Sequence, residues 1–134
     1  MDYPEFKGKT AIATGAASGM ALLFLQKMAE EGANVVLTDV NAEAVEAAAE
    51  AIRRKGGNAV GVKVDVRKYD EIENSVRIAM EKFGRIDYLM NSAGGCSLRV
   101  CKQTGGFLKA TPESIEWGVD VNLKGAVLFT RAVL

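Results

Sequence analysis

The sequence predicts an α/β fold in which a doubly wound parallel sheet carries helices on both faces. Two observations predict it: short apolar runs rich in β-branched residues alternate with amphipathic helical patterns, and the helical patterns end at glycines. Strands separated by helices pair in parallel, because the chain must cross over the sheet between them. The 134 residues, 49% apolar and 25% charged, have the size and balance of one soluble domain.

Apolar runs place the strands. We predict four of them, over 10–14, 35–39, 59–64 and 86–90. A segment that we predict as a loop follows the fourth strand, over 95–110, and contains Gly105 and Gly106.

Periodicity and capping residues place the helices. The first helix is predicted over 18–31 and ends at Gly32, and Asn41 is suited to cap the second. Thr111 and Pro112 begin a last helix that reaches the end of the chain, with a break expected near Gly125. Two apolar stripes define the buried faces of the second and third helices: Val45, Ala48, Ala49 and Ile52, then Ile72, Val76, Ala79, Met80 and Phe83.

The element order predicts where a ligand binds. Right-handed crossovers put the first two helices on one face of the sheet, and the third helix on the other face. The reversal leaves a crevice at the carboxyl ends of the first and fourth strands, where open α/β sheets bind ligands.

The composition excludes several classes of function. The chain has no histidine, which excludes Ser-His-Asp and histidine–zinc chemistry, and Cys96 with Cys101 cannot complete a metal site alone. Its net charge is zero, so nothing attracts nucleic acid or an anionic membrane. With free thiols, no apolar signal segment and no membrane span, we expect a cytoplasmic protein.

The first predicted strand runs directly into a glycine turn and then a helix. In Thr14-Gly15-Ala16-Ala17-Ser18-Gly19-Met20, glycines allow a tight bend and a close approach of the backbone to a ligand. The N–H groups and the positive dipole end of the helix then favour a pyrophosphate held around Thr14, Gly15, Ser18, Gly19 and Met20. The alternative is a plain tight turn between strand and helix.

Asp39 ends the second strand, where the adenosine ribose of a dinucleotide would lie. A carboxylate there accepts hydrogen bonds from both ribose hydroxyls and repels a 2′-phosphate. Ala16 and Val40 beside it supply no cation, so we expect NAD as the cofactor in preference to NADP. The alternative is that Asp39 merely caps the next helix.

These residues resemble the short-chain dehydrogenase/reductase family, in its compact form with the pattern T-G-x-x-x-G-x-G. Thr14, Gly15 and Gly19 match that pattern, and Ala21 stands where the family has its last glycine. The resemblance implies a Rossmann-like sheet and an oxidoreductase that transfers hydride between a nicotinamide and a secondary alcohol or ketone.

The resemblance also implies further site residues. Asp65 and Val66 match an adenine contact, although an acid at a strand end is also an ordinary loop residue. Asn91, Ala93 and Gly94 lie in a segment similar to the family's N-N-A-G, with Ser92 as the second residue; Asn91 would brace the central sheet and Gly94 would approach the nicotinamide ribose. Asn122 matches the asparagine of the catalytic tetrad, which holds a water in the proton relay, or is simply a polar helix residue.

The resemblance covers roughly residues 6–134 and about half of the family's domain. We therefore expect one dinucleotide-binding domain over 1–134, truncated after the fourth strand and its following helix. The family's catalytic Ser and its Tyr-x-x-x-Lys lie beyond this region, and Tyr3–Lys7 has the right spacing but precedes the first strand. We expect this chain alone to bind dinucleotide, to be inactive, and to self-associate through its uncovered edge. The alternatives are a non-enzymatic NAD-binding or interaction module, and a partly folded fragment.

Overall fold

A computed structural model describes residues 3–134 and shows a four-stranded parallel sheet in the order β3-β2-β1-β4. The strands are β1 (Thr10–Thr14), β2 (Asn34–Asp39), β3 (Asn58–Lys63) and β4 (Tyr88–Met90). The helices are α1 (Gly19–Glu30), α2 (Ala42–Arg54), α3 (Tyr69–Phe83), α4 (Ser97–Val100), α5 (Pro112–Val119) and α6 (Gly125–Val133). The predicted doubly wound α/β fold is confirmed.

The helices cover both faces of the sheet, as the crossover argument predicts. Alternate residues of the central strand point to opposite faces, because side chains in a strand have a period of two. Ala11 and Ala13 of β1 pack with Leu25 of α1 and Val45 of α2. Ile12 of the same strand packs with residues of α3 and with Phe129 of α6 in a second cluster.

Local signals place the helix ends correctly. The side chain of Asn41 accepts a hydrogen bond from the Ala44 N–H at 3.0 Å and so caps α2. Gly84 ends α3 in the left-handed conformation, at φ +74°. Thr111 caps α5, with Pro112 as its first residue.

Three predictions about the elements need correction. Met80 is 46% exposed rather than core, because the buried face of α3 is centred on Ile72, Ser75 and Ala79 and leaves position 80 on the flank. The segment predicted as a loop contains the short helix α4 and a 3₁₀ turn at Phe107–Lys109. β4 begins two residues later than predicted, because Asp87 instead bonds with Thr10.

The last helix is interrupted next to Gly125, where the sequence predicts a break. A π-helical turn, Asp120–Lys124, joins α5 to α6, and Gly125 is the first residue of α6. A Cβ on Gly125 would lie 2.7 Å from Cγ2 of Val66, so the helix approaches the end of β3 too closely for any side chain. The interruption thus lies where the helix passes the carboxyl edge of the sheet.

Candidate functional site

The glycine turn between β1 and α1 lies against the segment that follows β4. Gly15 has φ +63°, and a Cβ built on it would lie 3.0 Å from Cα and 3.2 Å from N of Ala93. The next two N–H groups bond to the end of β2: that of Ala16 to the Thr38 carbonyl at 2.9 Å, and that of Ala17 to Asp39 at 3.1 Å. The turn is therefore held on both sides, and only glycine fits at position 15.

Thr14 joins the ends of the two central strands. Its hydroxyl oxygen, almost fully buried, accepts hydrogen bonds from the N–H groups of Ser92 at 3.0 Å and Ala93 at 2.9 Å. These N–H groups leave the strand ladder just beyond β4 and need an acceptor when buried. Thr14 thus sets the path of the backbone opposite the glycine turn.

The first turn of α1 is open. Ser18 is the N-cap residue in an extended conformation, yet its side chain makes no cap hydrogen bond within residues 3–134. Gly19 has φ +64°, and in the described part of the chain nothing beyond its neighbours and its own helix backbone lies within 4 Å of a built Cβ. Met20 is 77% exposed. An anion can reach the positive end of this helix without displacing a protein group. Ala21, in place of the family's last glycine, is buried against the sheet at 1% exposure.

Asp39 connects the glycine turn to β2. Its Oδ2 accepts the Ala17 N–H and its Oδ1 accepts the Asn41 N–H at 3.0 Å. The capping alternative for Asp39 is not supported, because Asn41 caps α2. Each oxygen of a carboxylate has two acceptor positions, so each oxygen of Asp39 can accept one further donor.

Asp65 and Arg67 form an ion pair at the end of β3. Oδ1 of Asp65 accepts the N–H and Nε of Arg67 at 3.0 and 2.9 Å, and Oδ2 accepts Nη2 at 2.6 Å. The Arg67 guanidinium lowers the pKa of Asp65, although burial of the carboxylate acts to raise it, and the charge of Lys68 lowers it further. Sequence reasoning missed Arg67, although an acid and a base two residues apart after a strand were a usable signal.

Val66 and Asn91 contact the last helix, α6. Val66 is 7% exposed and its side chain packs at Gly125. Asn91 donates from Nδ2 to the hydroxyl of Thr130 at 3.1 Å and to the Ala126 carbonyl at 3.4 Å. The bracing expected of Asn91 therefore runs from the end of β4 to a helix rather than to a neighbouring strand.

Asn122 holds the backbone that follows β4. Its Oδ1 accepts the Gly95 N–H at 2.9 Å, and its Nδ2 donates to the carbonyls of Gly95 at 3.0 Å and Gly118 at 2.9 Å. A Cβ on Gly94 would lie 2.7 Å from the same Oδ1, so this contact requires glycine. The side chain of Asn122 is thus engaged with backbone groups and spans the π-helical turn.

A crevice of about 400 Å³ opens at the carboxyl ends of the strands, as the topology predicts. Six of the twelve predicted site residues line the crevice: Gly15, Asp39, Asp65, Val66, Ala93 and Gly94. The other six lie outside its lining: Thr14, Ser18, Gly19, Met20, Asn91 and Asn122. Trp117, assigned from sequence to no site, also lines it. The lining comprises Gly15, Asp39, Val40, Val64, Asp65, Val66, Arg67, Ala93, Gly94, Val100, Trp117 and Val121.

The one Tyr-x-x-x-Lys spacing lies away from this crevice. Tyr3 and Lys7 flank a 3₁₀ turn, Pro4–Phe6, that precedes β1. A Cβ on Gly32, which precedes β2, would lie 3.4 Å from Cγ of Lys7. The pair is therefore at the amino edge of the sheet, which supports rejecting it as a catalytic motif.

The sheet order, the switch point and the glycine turn define a Rossmann-like α/β protein. The chain belongs to the short chain dehydrogenase family, whose sequence model matches residues 9–134. Members of this family bind nicotinamide dinucleotides. Among residues 3–134, no helix has both the length and the hydropathy of a membrane span.

Curated relatives support the family assignment. The chain is similar to oxidoreductase UcpA of Salmonella typhimurium, at 38% identity over 130 residues that cover 97% of this chain and 47% of the relative. It is also 33% identical to (2S)-[(R)-hydroxy(phenyl)methyl]succinyl-CoA dehydrogenase subunit BbsD of Thauera aromatica, covering 95% of this chain and 49% of that subunit. The chain spans about half the length of these relatives.

Solved structures agree with the fold. A short-chain dehydrogenase/reductase from Brucella melitensis, described as glucose/ribitol dehydrogenase, superposes with a TM-score of 0.87 and 29% identity, covering 99% of this chain and 53% of that one. A hydroxysteroid dehydrogenase from Escherichia coli gives 0.85 and 26%, covering 96% and 52%.

Proposed function

We propose that this chain is the NAD-binding part of an oxidoreductase that transfers hydride between a nicotinamide and a secondary alcohol or ketone. One observation carries the proposal: the glycine turn, Asp39 and the backbone after β4 meet at one crevice, at the carboxyl ends of the strands. This is where open parallel sheets bind dinucleotides. The class of substrate comes from family membership.

The residues fit a dinucleotide. Glycine is required at positions 15 and 94, where added Cβ atoms would lie 3.0 Å and 2.7 Å from their neighbours, and the first turn of α1 is open to a pyrophosphate. We assign the adenosine ribose to Asp39, and the adenine to Asp65 and Val66. The nicotinamide ribose is assigned to the backbone at Gly94, in the segment with Ala93 that Asn91 braces. The bound nicotinamide supplies or accepts the hydride.

NAD is proposed over NADP because of the charges in the crevice. The carboxylate of Asp39 repels a 2′-phosphate, and its two oxygens each retain an acceptor position for a ribose hydroxyl. Arg67 is a cation in the same crevice, but its guanidinium is paired with Asp65. The site therefore offers a 2′-phosphate a repelling carboxylate and a cation that is already neutralised.

Asn122 is proposed as the tetrad asparagine. Asn122 lies in the π-helical turn, and its side chain is held by hydrogen bonds with the backbone of Gly95 and Gly118. The other catalytic groups of the family, a Ser and a Tyr-x-x-x-Lys, belong to a region outside the one matched here. We therefore propose that residues 1–134 alone bind NAD without oxidising alcohols. Alcohol oxidation by the purified 134-residue chain would contradict this part of the proposal.

Calorimetric titration of the chain with NAD and NADP tests the cofactor assignment. We expect saturable binding of NAD, at least tenfold weaker binding of NADP, and about tenfold weaker NAD binding in Asp39→Ala, since hydrogen bonds to a charged group are lost. Glu30→Ala is the matched control, because it removes an exposed carboxylate paired with Lys27 on α1. A folded chain that does not bind NAD at millimolar concentration contradicts the proposal. If the chain binds NAD but belongs to no enzyme that supplies the catalytic Ser, Tyr and Lys, the alternative of a non-enzymatic NAD-binding or interaction module is favoured.

We also propose that this chain pairs with a second copy of itself. Within residues 3–134, β4 has a single neighbouring strand and all three of its residues are half-buried, so its outer edge presents unpaired backbone groups. Every fourth residue of the last helical region is apolar and 42–61% exposed, namely Ile115, Val119, Leu123 and Val127.

Light scattering at micromolar concentration tests the pairing. We expect a dimer or larger species, and a shift towards monomer in Leu123→Glu but not in Leu108→Glu, a control whose side chain is 97% exposed. A strictly monomeric chain contradicts this proposal. The exposed free thiols of Cys96 and Cys101 favour the reducing cytoplasm as its location.

A further inference from the structure

The ion pair of Asp65 and Arg67 has a feature that the proposed function leaves unused. Asp65 is 8% exposed, whereas the side chain of Arg67 is 42% exposed, and both residues line the crevice with Asp39 and Val40. The carboxylate and the guanidinium that holds it therefore both border the space in which a ligand would bind.

The acceptor capacity of Asp65 can be counted. Each oxygen of a carboxylate has two lone pairs in its plane. Oδ1 accepts two close hydrogen bonds, from the N–H and Nε of Arg67 at 3.0 and 2.9 Å. Oδ2 accepts one close bond, from Nη2 at 2.6 Å, and its 3.2 Å contact with Nε only shares the single Nε hydrogen that Oδ1 already accepts. One acceptor position, on Oδ2, is left for a ligand.

The carboxylate is also prevented from turning. The N–H of Asp65 itself donates to Glu71 at 2.8 Å, which fixes the backbone, and the bidentate guanidinium fixes the plane of the side chain. A lysine could supply the charge at position 67, but not the planar fork that holds two oxygens at once. The one free position on Oδ2 thus has a defined direction.

We propose that Arg67 is a positioning residue that leaves Asp65 one oriented acceptor for the base of the bound dinucleotide. An ionised carboxylate can only accept, so the site favours a base with an exocyclic amino group over one with a carbonyl at the same position. A carbonyl placed there leaves two acceptors facing each other without a proton, which is costly in a partly buried site. The inference rests on the proposed function, since it concerns the base of the same dinucleotide.

Titration with two dinucleotides tests the role of Arg67. The probes are NAD and its analogue with hypoxanthine in place of adenine, which has a carbonyl where adenine has an amino group. We expect the chain to bind NAD about tenfold more tightly than the analogue. In Arg67→Gln the preference falls to threefold or less, because the carboxylate can turn. Arg67→Lys keeps the positive charge but lacks the planar fork, so its preference for NAD should lie between those of the unaltered chain and Arg67→Gln.

The control and the outcomes separate this inference from the proposed function. Arg77→Gln removes an exposed guanidinium that pairs with Glu81 on α3, and leaves the preference unchanged. If neither dinucleotide binds to the folded chain, the proposed function is wrong and the inference falls with it. If NAD binds but the unaltered chain does not discriminate, or Arg67→Gln keeps the full preference, the inference alone is overturned. If Arg67→Gln does not fold, Arg67→Lys decides: an undiminished preference overturns the inference.

Discussion

Replacing Gly15 with alanine measures how closely the glycine turn approaches the segment after β4. Two costs can be estimated from the structure. At φ +63°, an L-residue is in the left-handed region, which costs about 1–2 kcal/mol. The new methyl group would also lie 3.0 Å from Cα of Ala93 and 3.3 Å from the Ser92 carbonyl oxygen, well inside the usual contact distance.

Those neighbours are backbone atoms, and they cannot move freely. The N–H groups of Ser92 and Ala93 are bonded to the Thr14 hydroxyl, so relief of the contact strains those bonds. Overpacking of this kind costs about 1–3 kcal/mol. The total expected loss of unfolding free energy for Gly15→Ala is therefore about 2–5 kcal/mol.

Gly19→Ala is the matched control. Gly19 has nearly the same backbone conformation, at φ +64°, but among residues 3–134 nothing beyond its chain neighbours and its own helix backbone lies within 4 Å of an added Cβ. It should lose only the conformational part, about 1–2 kcal/mol, and the reduced entropy of the unfolded chain is common to both variants. Urea denaturation followed by circular dichroism gives both values. Equal losses in the two variants would show that the close approach of Gly15 to Ala93 contributes nothing to stability.

Two further predictions concern stability. Thr14→Val keeps the shape of the side chain but leaves the Ser92 and Ala93 N–H groups without their acceptor; we expect a loss of about 1–3 kcal/mol, whereas Thr14→Ser keeps the oxygen and loses less in the same urea assay. Lys63 lowers the pKa of Glu71 from 4.5 to about 2, with help from the Asp65 N–H and Lys68, so this stabilisation is complete above pH 4.5 and disappears as the pH falls towards 2. We expect Glu71→Gln to lose about 1–2 kcal/mol at neutral pH, because the lysines are 42% and 55% exposed and solvent screens them; a difference from the unaltered chain that does not shrink on acidification contradicts this assignment.

Most elements of the fold could be predicted from the sequence, because their signals are local. The β-branched run of β2, the cap at Asn41 and the left-handed glycine that ends α3 each depend on residues a few positions apart. Met80 shows the limit of this reasoning. The apolar stripe of α3 predicts a buried face that is one position too wide, because only packing against the sheet decides which flank of a helix is buried.

The candidate site could be predicted in part. The glycine turn and Asp39 are recognisable because each directly follows a strand, and parallel strands end at one edge of a sheet. Arg67 and Trp117 were not predicted as residues of the crevice. Arg67 belongs there because its fork closes on Asp65, and Trp117 because α5 passes the mouth of the crevice, which no local pattern indicates.

The amino-acid sequence alone predicts the α/β class, the order of the elements, the sheet edge at which the site lies, and the family. The first three follow from hydrophobic periodicity and the rules of chain crossover, and the family follows from the resemblance carried by Thr14, Gly15 and Gly19. The hydrogen bonds from Ala93 to Thr14 and from Gly95 to Asn122 are known only from the folded chain, because they join residues 79 and 27 positions apart. Such contacts depend on the separation of packed elements to within a few tenths of an ångström, and that separation is set only when the helices and strands pack together.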